Sequence, residues 1–250
     1  MKKKNVLGLI PTRLNSTRLP QKALLSINKI PLVVHTYKRA KLSKKVDDLY
    51  ICCDDKKIFN EVKKFGVKVL MTSKHHQNGT ERICEAYKKI GKEYDFVVDI
   101  QGDEPLISPY HIDDVIEFHI KNFRADIILP VLKIKASNNT NIIKVVTDKH
   151  NNVLYLSRSN IPFEFKKRIN YMEKHLSIIS FKPNALIKFA KSNKTKLESI
   201  EDIELLRALE IGLNIKTIRL EGDSFSVDIM EDFTKATKKM SRDKFFKLYK

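Results

Sequence analysis

From Asn5 to Phe123, short apolar runs alternate with amphipathic stretches of helical length, and this alternation limits the possible folds more than any other feature of the chain. Asn5–Ile10, Leu49–Cys53, Val67–Met71 and Phe96–Ile100 predict strands. The last is apolar enough for burial on both faces, as parallel strands are. Helices are predicted near Leu32–Lys41, from Asp54-Asp55 to Phe65, over Thr80–Ile90 with Gly91 closing it, and over Ile112–Phe123. Strands and helices in turn argue for a parallel sheet covered by helices.

After Phe123 the pattern changes. Ile127–Ile134 and Ile142–Val146 predict strands, Asp148–Asn152 a turn, and Val153–Leu156 the return arm of a hairpin. His175–Phe181 reads as one further strand. Ser199–Gly212 reads as one helix, with Ser199 as cap, Asp202 at the capping-box position and Gly212 at its end. Ile215–Leu220 is a predicted strand and Ile229–Met240 the last helix. No repeat, low-complexity linker or domain boundary interrupts the 250 residues. The expectation is a single α/β unit with a mixed second half.

Composition narrows the function classes. The net charge of +18 admits attraction to nucleic acid, but the lysines run from end to end without an aromatic-interleaved patch, so a solvated surface is favoured and no nucleic-acid partner is expected. A positive field would still collect anionic substrates. Cys52, Cys53 and Cys84 form neither a CxxC pair nor an even set, which argues against disulfides and zinc and for a reducing cytoplasm. No stretch is apolar for long enough to span a bilayer. The basic Met1–Lys4 leads into an apolar run that ends at Pro11 without a small-residue cleavage site, so it reads as the first strand.

Ligands of open α/β sheets bind beyond the carboxyl ends of the strands. That rule selects the loops after Ile10, Met71 and Ile100. The first, Pro11–Lys22, carries Arg13, Arg18 and Lys22 among hydroxyl and amide side chains, a set that suits phosphate or an exposed basic loop equally. There is no GxxxxGK[ST] motif. The third, Gln101-Gly102-Asp103-Glu104-Pro105, places two carboxylates at a strand end, which suits magnesium or a simple turn.

The segment IPTRLNSTRLPQKAL is similar to the N-terminal signature of the CMP-Kdo synthetase family, a strand running into Pro-Ala-Arg and then Ser-x-Arg-Leu-Pro-Gly-Lys. MTSKHHQNGTERICEA, DIQGDEPLI, LYLSRSNIPF, LESIEDIELLRALEIG and SFSVDIMEDF resemble five further blocks, in family order across nearly the whole chain. The resemblance implies a three-layer, Rossmann-like nucleotidyltransferase fold with a mixed, mainly parallel sheet. Within it a nucleotide-binding part would span about 1–125, and a sugar-binding and dimerisation part about 126–225. It implies transfer of CMP from CTP to the anomeric hydroxyl of an acidic 3-deoxy sugar, with pyrophosphate leaving in line. Such a reaction needs positioning and charge neutralisation.

The resemblance also implies residue roles. Arg13, Lys22, Asp103 and Asp228 would be catalytic, with Asp103 and Asp228 holding Mg2+. Arg13, Arg18, Lys22, Asn78, Gly79, Thr80, Arg82 and Gln101 would bind the nucleotide. Arg158, His175 and Glu204 would bind the sugar, Arg158 through its carboxylate. Bland readings stand beside these: Asp228 and Glu231 have capping-box spacing, Arg82 and Glu204 suit helix surfaces, and a lone strand histidine suits packing. A homodimer that feeds lipopolysaccharide assembly would be the family norm.

The chain departs from the family pattern at several points. Gln21 replaces a glycine and Ala23 a proline, Asn78 stands where serine is common, and Ile179 replaces a tyrosine near the sugar. The acceptor could therefore be Kdo, its amino analogue or a related acid. The rival readings are an acylneuraminate-type or sugar-1-phosphate nucleotidyltransferase, a nucleic-acid-binding module, and a non-catalytic homologue.

Overall fold

The computed structural model describes residues 3–16, 18–223 and 225–250. Met1 and Lys2, Thr17 of the first loop and Ser224 of the SFSVDIMEDF block lie outside the described residues.

The chain opens with β1 (Val6–Pro11), a hairpin of β2 (Ser26–Ile27) and β3 (Ile30–Pro31), then α1 (Leu32–Ala40), β4 (Asp48–Cys53), α2 (Lys56–Lys63) and β5 (Val69–Met71). It continues through α3 (Gly79–Ile90), β6 (Phe96–Ile100), α4 (Pro109–Lys121), β7 (Ile127–Lys135), β8 (Lys144–Thr147) and β9 (Val153–Ser157). The last part holds β10 (Tyr171–His175), β11 (Ile178–Phe181), α5 (Pro183–Lys191), α6 (Lys196–Glu201), α7 (Glu204–Glu210), β12 (Ile215–Leu220) and α8 (Met230–Met240).

The main sheet runs β5-β4-β1-β6-β11-β7-β10-β8-β9, with β12 on β7. It is parallel from β5 to β6 and again between β7 and β12. The pairs β6–β11, β11–β7, β7–β10, β10–β8 and β8–β9 are antiparallel. Three layers follow from strand alternation. In β1, Val6 and Ile10 face a core shared with α1, α2 and α4, while Leu7 and Leu9 face a core shared with α3, α5 and α7. Every β1 and β6 residue is buried, and each fully buried aliphatic side chain contributes roughly 1.5–3 kcal/mol.

Two sequence expectations need correction. Ser199–Gly212 is not one helix, because Asp202 sits at φ +52° and breaks it into α6 and α7. Ser199 lies inside α6, and Thr195 is the N-cap. His175–Phe181 is likewise not one regular strand: β10 and β11 both run antiparallel to β7, but the register slips between His175↔Val131 and Ser180↔Ile128. The two extra residues bulge out where β10 passes into β11, between His175 and Ser180. Sequence reading also missed α5 and the β2–β3 hairpin, whose residues carry no long periodic signal.

Candidate active site

The loops after β1 and β6 meet because their strands are parallel neighbours. Gly102 permits the contact, since a Cβ there would come within 2.8 Å of the Pro11 carbonyl oxygen. α8 then folds over the first loop through an apolar cluster of Leu19, Ile27, Leu32, Val227, Ala236 and Met240. Its leading segment is pinned by the Val227 N–H, which donates to the Asp103 carbonyl at 2.9 Å. Asp103 and Asp228, 125 residues apart in sequence, are thereby drawn to one ammonium group. Lys22 Nζ donates to Asp103 Oδ2 at 2.7 Å and to Asp228 Oδ1 at 3.1 Å. Arg18 adds a more exposed bond to Asp228 Oδ1 at 3.1 Å.

Burial works to lower the Lys22 pKa, but the two carboxylates outweigh it and hold the ammonium above its ordinary value. Burial works to raise Asp228, and Lys22 and Arg18 hold it below the usual carboxylate range. The capping reading of Asp228 is not what the structure contains. Asp232 accepts from the Asp228 and Ile229 N–H groups at 3.2 and 3.3 Å, leaving the Asp228 carboxylate to Lys22.

A cleft of about 450 Å³ opens beside this triad, within the usual range for small-molecule sites. Arg13, Lys22, Asn78, Gly79, Arg82, Gln101, Asp103, His175 and Glu204 border it. Asn78 caps α3 by accepting from the Glu81 N–H at 2.9 Å. Thr80 is buried in the first turn, and its N–H reaches Glu204 Oε2 at 3.4 Å. Burial raises the Glu204 carboxyl. Arg82 is not a free surface cation, because its guanidinium donates to Thr72 Oγ1, the Ser73 carbonyl and Asp54 Oδ2. Arg13 is exposed on the cleft rim.

Arg158 does not border the cleft. Its Nε donates to the Glu201 carbonyl at 2.7 Å, and its two terminal nitrogens to the Thr140 and Asp202 carbonyls at 3.1 and 3.0 Å. It therefore closes the end of α6 and ties it to the loop before β8. His175 does border the cleft, with a shielded Nδ1 that has no hydrogen-bond partner among the described residues. Burial, with Lys174 and Arg158 nearby, lowers its pKa to about 4, so the ring is neutral.

Sequence reading missed His76, Gln77, Ser177, Glu198 and Lys194 on the cleft wall. His76 and Gln77 fall in the loop after β5, where the strand-end rule could have found them. Lys194 lies between α5 and α6 and carried no signal. Glu198 accepts two bonds from the buried Arg207, at 2.7 Å each, while the same guanidinium reaches Glu81 at 2.9 Å. This bidentate pair fastens α6 and α7 to α3 and sets the far wall.

A family model described as cytidylyltransferase matches residues 7–218. The chain belongs to the cytidylyltransferase family. Within it, the chain is 40% identical over 245 residues to the 3-deoxy-manno-octulosonate cytidylyltransferase of Thermodesulfovibrio yellowstonii, covering 92% of this chain and 96% of the relative. It is also 40% identical over 233 residues to the 8-amino-3,8-dideoxy-manno-octulosonate cytidylyltransferase of Shewanella pealeana, covering 91% and 95%. The solved structure of CMP:2-keto-3-deoxy-manno-octonic acid synthetase complexed with CTP superposes with a TM-score of 0.89 at 28% identity, over 95% of this chain and 99% of that one. The three-layer nucleotidyltransferase fold expected from the sequence is the fold observed. No helix of the described residues is long and apolar enough to cross a membrane.

Proposed function

We propose that this cytidylyltransferase moves CMP from CTP to the anomeric hydroxyl of Kdo or a close analogue and releases pyrophosphate. One observation carries the reading: a lysine held between two carboxylates at the mouth of a cleft lined by Arg13, Gln101 and the N-terminus of α3. In this reading Arg13, Arg18 and Lys22 hold the triphosphate, and the α3 N-terminus with Asn78 and Gly79 faces the nucleotide. His175 and Glu204 face the acceptor. In this reading Arg158 shapes the acceptor wall by holding the end of α6.

Asp103 and Asp228 fit magnesium, being hard oxygen donors at the cleft mouth that share only an ammonium. No cluster of three or more His, Cys, Asp or Glu forms a metal cage among the described residues, which suits an ion completed by substrate phosphates. Bound there, magnesium would neutralise charge developing on the transferring phosphate and the leaving pyrophosphate. Lys22 keeps both carboxylates aimed at one point.

Relatives of both the Kdo and the 8-amino kind are 40% identical, so overall similarity does not separate the acceptors. Ile179 borders the cleft yet is 2% exposed, and it presents no hydroxyl. An apolar position discriminates weakly between acceptors that differ in one polar group. We read the acceptor range as covering both sugars, and the enzyme as a cytoplasmic homodimer supplying lipopolysaccharide assembly. Phe163 and Phe165, each 83% exposed in the loop before β10, support a partner surface. The test is pyrophosphate release with CTP, magnesium and a panel of 3-deoxy and nonulosonic acids. Equal turnover with UTP, ATP or GTP would overturn the assignment, and light scattering reads the oligomer.

A further inference from the structure

β6 carries one charged residue, and it points into a hydrophobic core. Strand alternation puts Asp99 on the same face as Val97, toward α3, α5 and α7, and its side chain is fully buried. It pairs across to Ile179 in β11. Oδ2 accepts from Gln101 Nε2 at 2.8 Å, and Oδ1 has no partner among the described residues. Of the residues named above for substrate and metal, Gln101 is the one hydrogen-bonded to it among the described residues. A buried ionised carboxylate without a cation would be very costly. Burial, with Glu204 and Asp103 adding negative field, holds this carboxyl well above the usual range, so it stays neutral and stands in for an amide.

Among the described residues Gln101 is the only side chain that Asp99 holds, and Gln101 borders the cleft. Its backbone N–H is fixed by the Ser177 carbonyl in the β10–β11 bulge at 3.1 Å. Its amide packs beside Gly79, where a Cβ would stand 3.4 Å from Nε2. We propose that Asp99 is a positioning residue: it anchors the Nε2 end of the Gln101 amide and leaves Oε1 as a fixed acceptor for an N–H or O–H of the bound nucleotide. Asp99 acts only through Gln101, so its contribution should vanish when that amide is gone.

This inference rests on the cytidylyltransferase reading only for what the cleft binds, and CTP affinity separates the two. Asp99→Val, Asp99→Ala and Asp99→Asn are made in the native protein and in Gln101→Ala. The CTP dissociation constant is measured by calorimetry, and kcat/KM by pyrophosphate release. Asp99→Val should weaken CTP binding about tenfold in the native background and less than about twofold in Gln101→Ala, as coupled contacting residues do. Asp99→Asn, a neutral acceptor of the same shape, should stay within about threefold of native. Asp99→Ala serves if Asp99→Val does not fold. Equal losses in both backgrounds would make Asp99 a packing residue and overturn the proposal, as would an Asp99→Asn as weak as Asp99→Val. Normal CTP coupling with no turnover of any acceptor would instead sink the acceptor assignment and leave Asp99 in its role.

Discussion

The two ends of the cleft are built in opposite ways. The end proposed for the nucleotide comes from parallel strands whose carboxyl ends lie side by side, so each loop delivers several neighbouring residues at once: Arg13 to Lys22 after β1, and Gln101 to Asp103 after β6. The end proposed for the acceptor comes from antiparallel strands and short helices. It draws His175 from beside a bulge, Lys194 from an interhelical loop and Glu204 from the start of α7. A site assembled from contiguous segments tolerates change in the rest of the fold. One assembled from scattered single residues depends on the packing that gathers them, here the Arg207–Glu198–Glu81 network.

The sharpest way to break the comparison is at the nucleotide end. Asp103→Asn and Asp228→Asn should each lower kcat by roughly 10²–10³-fold, the usual weight of one electrostatic group at a transferring centre. Their melting temperatures should stay near native. If Asp228→Asn lost stability and kept its turnover, Asp228 would be structural and the two ends would not differ.

A pH titration of stability tests how the second half is held to the first. His119 is buried, accepts from the Ser180 hydroxyl at Nδ1 and donates from Nε2 to the Ala125 carbonyl; burial lowers its pKa to about 4. The folded ring is neutral where the unfolded ring, near pH 6.5, begins to bind a proton. Its stabilising effect is therefore full above pH 6.5 and is lost as pH falls toward 4, by up to roughly 3 kcal/mol. His119→Gln should flatten that part of the chemical-denaturation profile. An unchanged slope would assign the acid sensitivity to other groups, His175 first.

Smaller effects sharpen the boundary. Arg158→Ala should cost about 1–2 kcal/mol of stability by freeing three carbonyls, with KM for CTP unchanged. A large rise in acceptor KM at native stability would return Arg158 to direct sugar binding. Gln21 adopts φ +52°, a conformation glycine takes freely, so Gln21→Gly should change the melting temperature by the equivalent of about 1 kcal/mol or less and leave kcat intact.

That glutamine shows how much local sequence can reveal. The replacement of glycine is visible in the chain, but whether the loop keeps its left-handed turn is not. In the fold Gln21 does take a left-handed turn, and Lys57 Nζ of α2, 36 residues away, donates to its Oε1 at 2.6 Å. The βα alternation and the strand-end loops were legible, because period, turn chemistry and clustered charge are properties of short segments, whereas the roles of Arg13, Lys22, Gln101 and Asp103 were implied only by the resemblance. Ser199 and Asp202 were misread because capping residues look alike inside and outside a helix. Only the left-handed φ of Asp202, set by packing, split α6 from α7.

The sequence by itself determined a helix-covered sheet with basic and acidic loops at its strand ends, since hydrophobic period and side-chain chemistry act locally. The tertiary structure alone decided which distant groups share a partner. It brought Asp228 to Lys22 by docking α8 on the first loop, and it spent the Arg158 guanidinium on carbonyls. It also placed Asp99 in a dry core, where a carboxyl stays neutral and can hold the Gln101 amide. Each outcome depends on burial and on separations of about 3 Å between groups remote in sequence, and no local pattern encodes those.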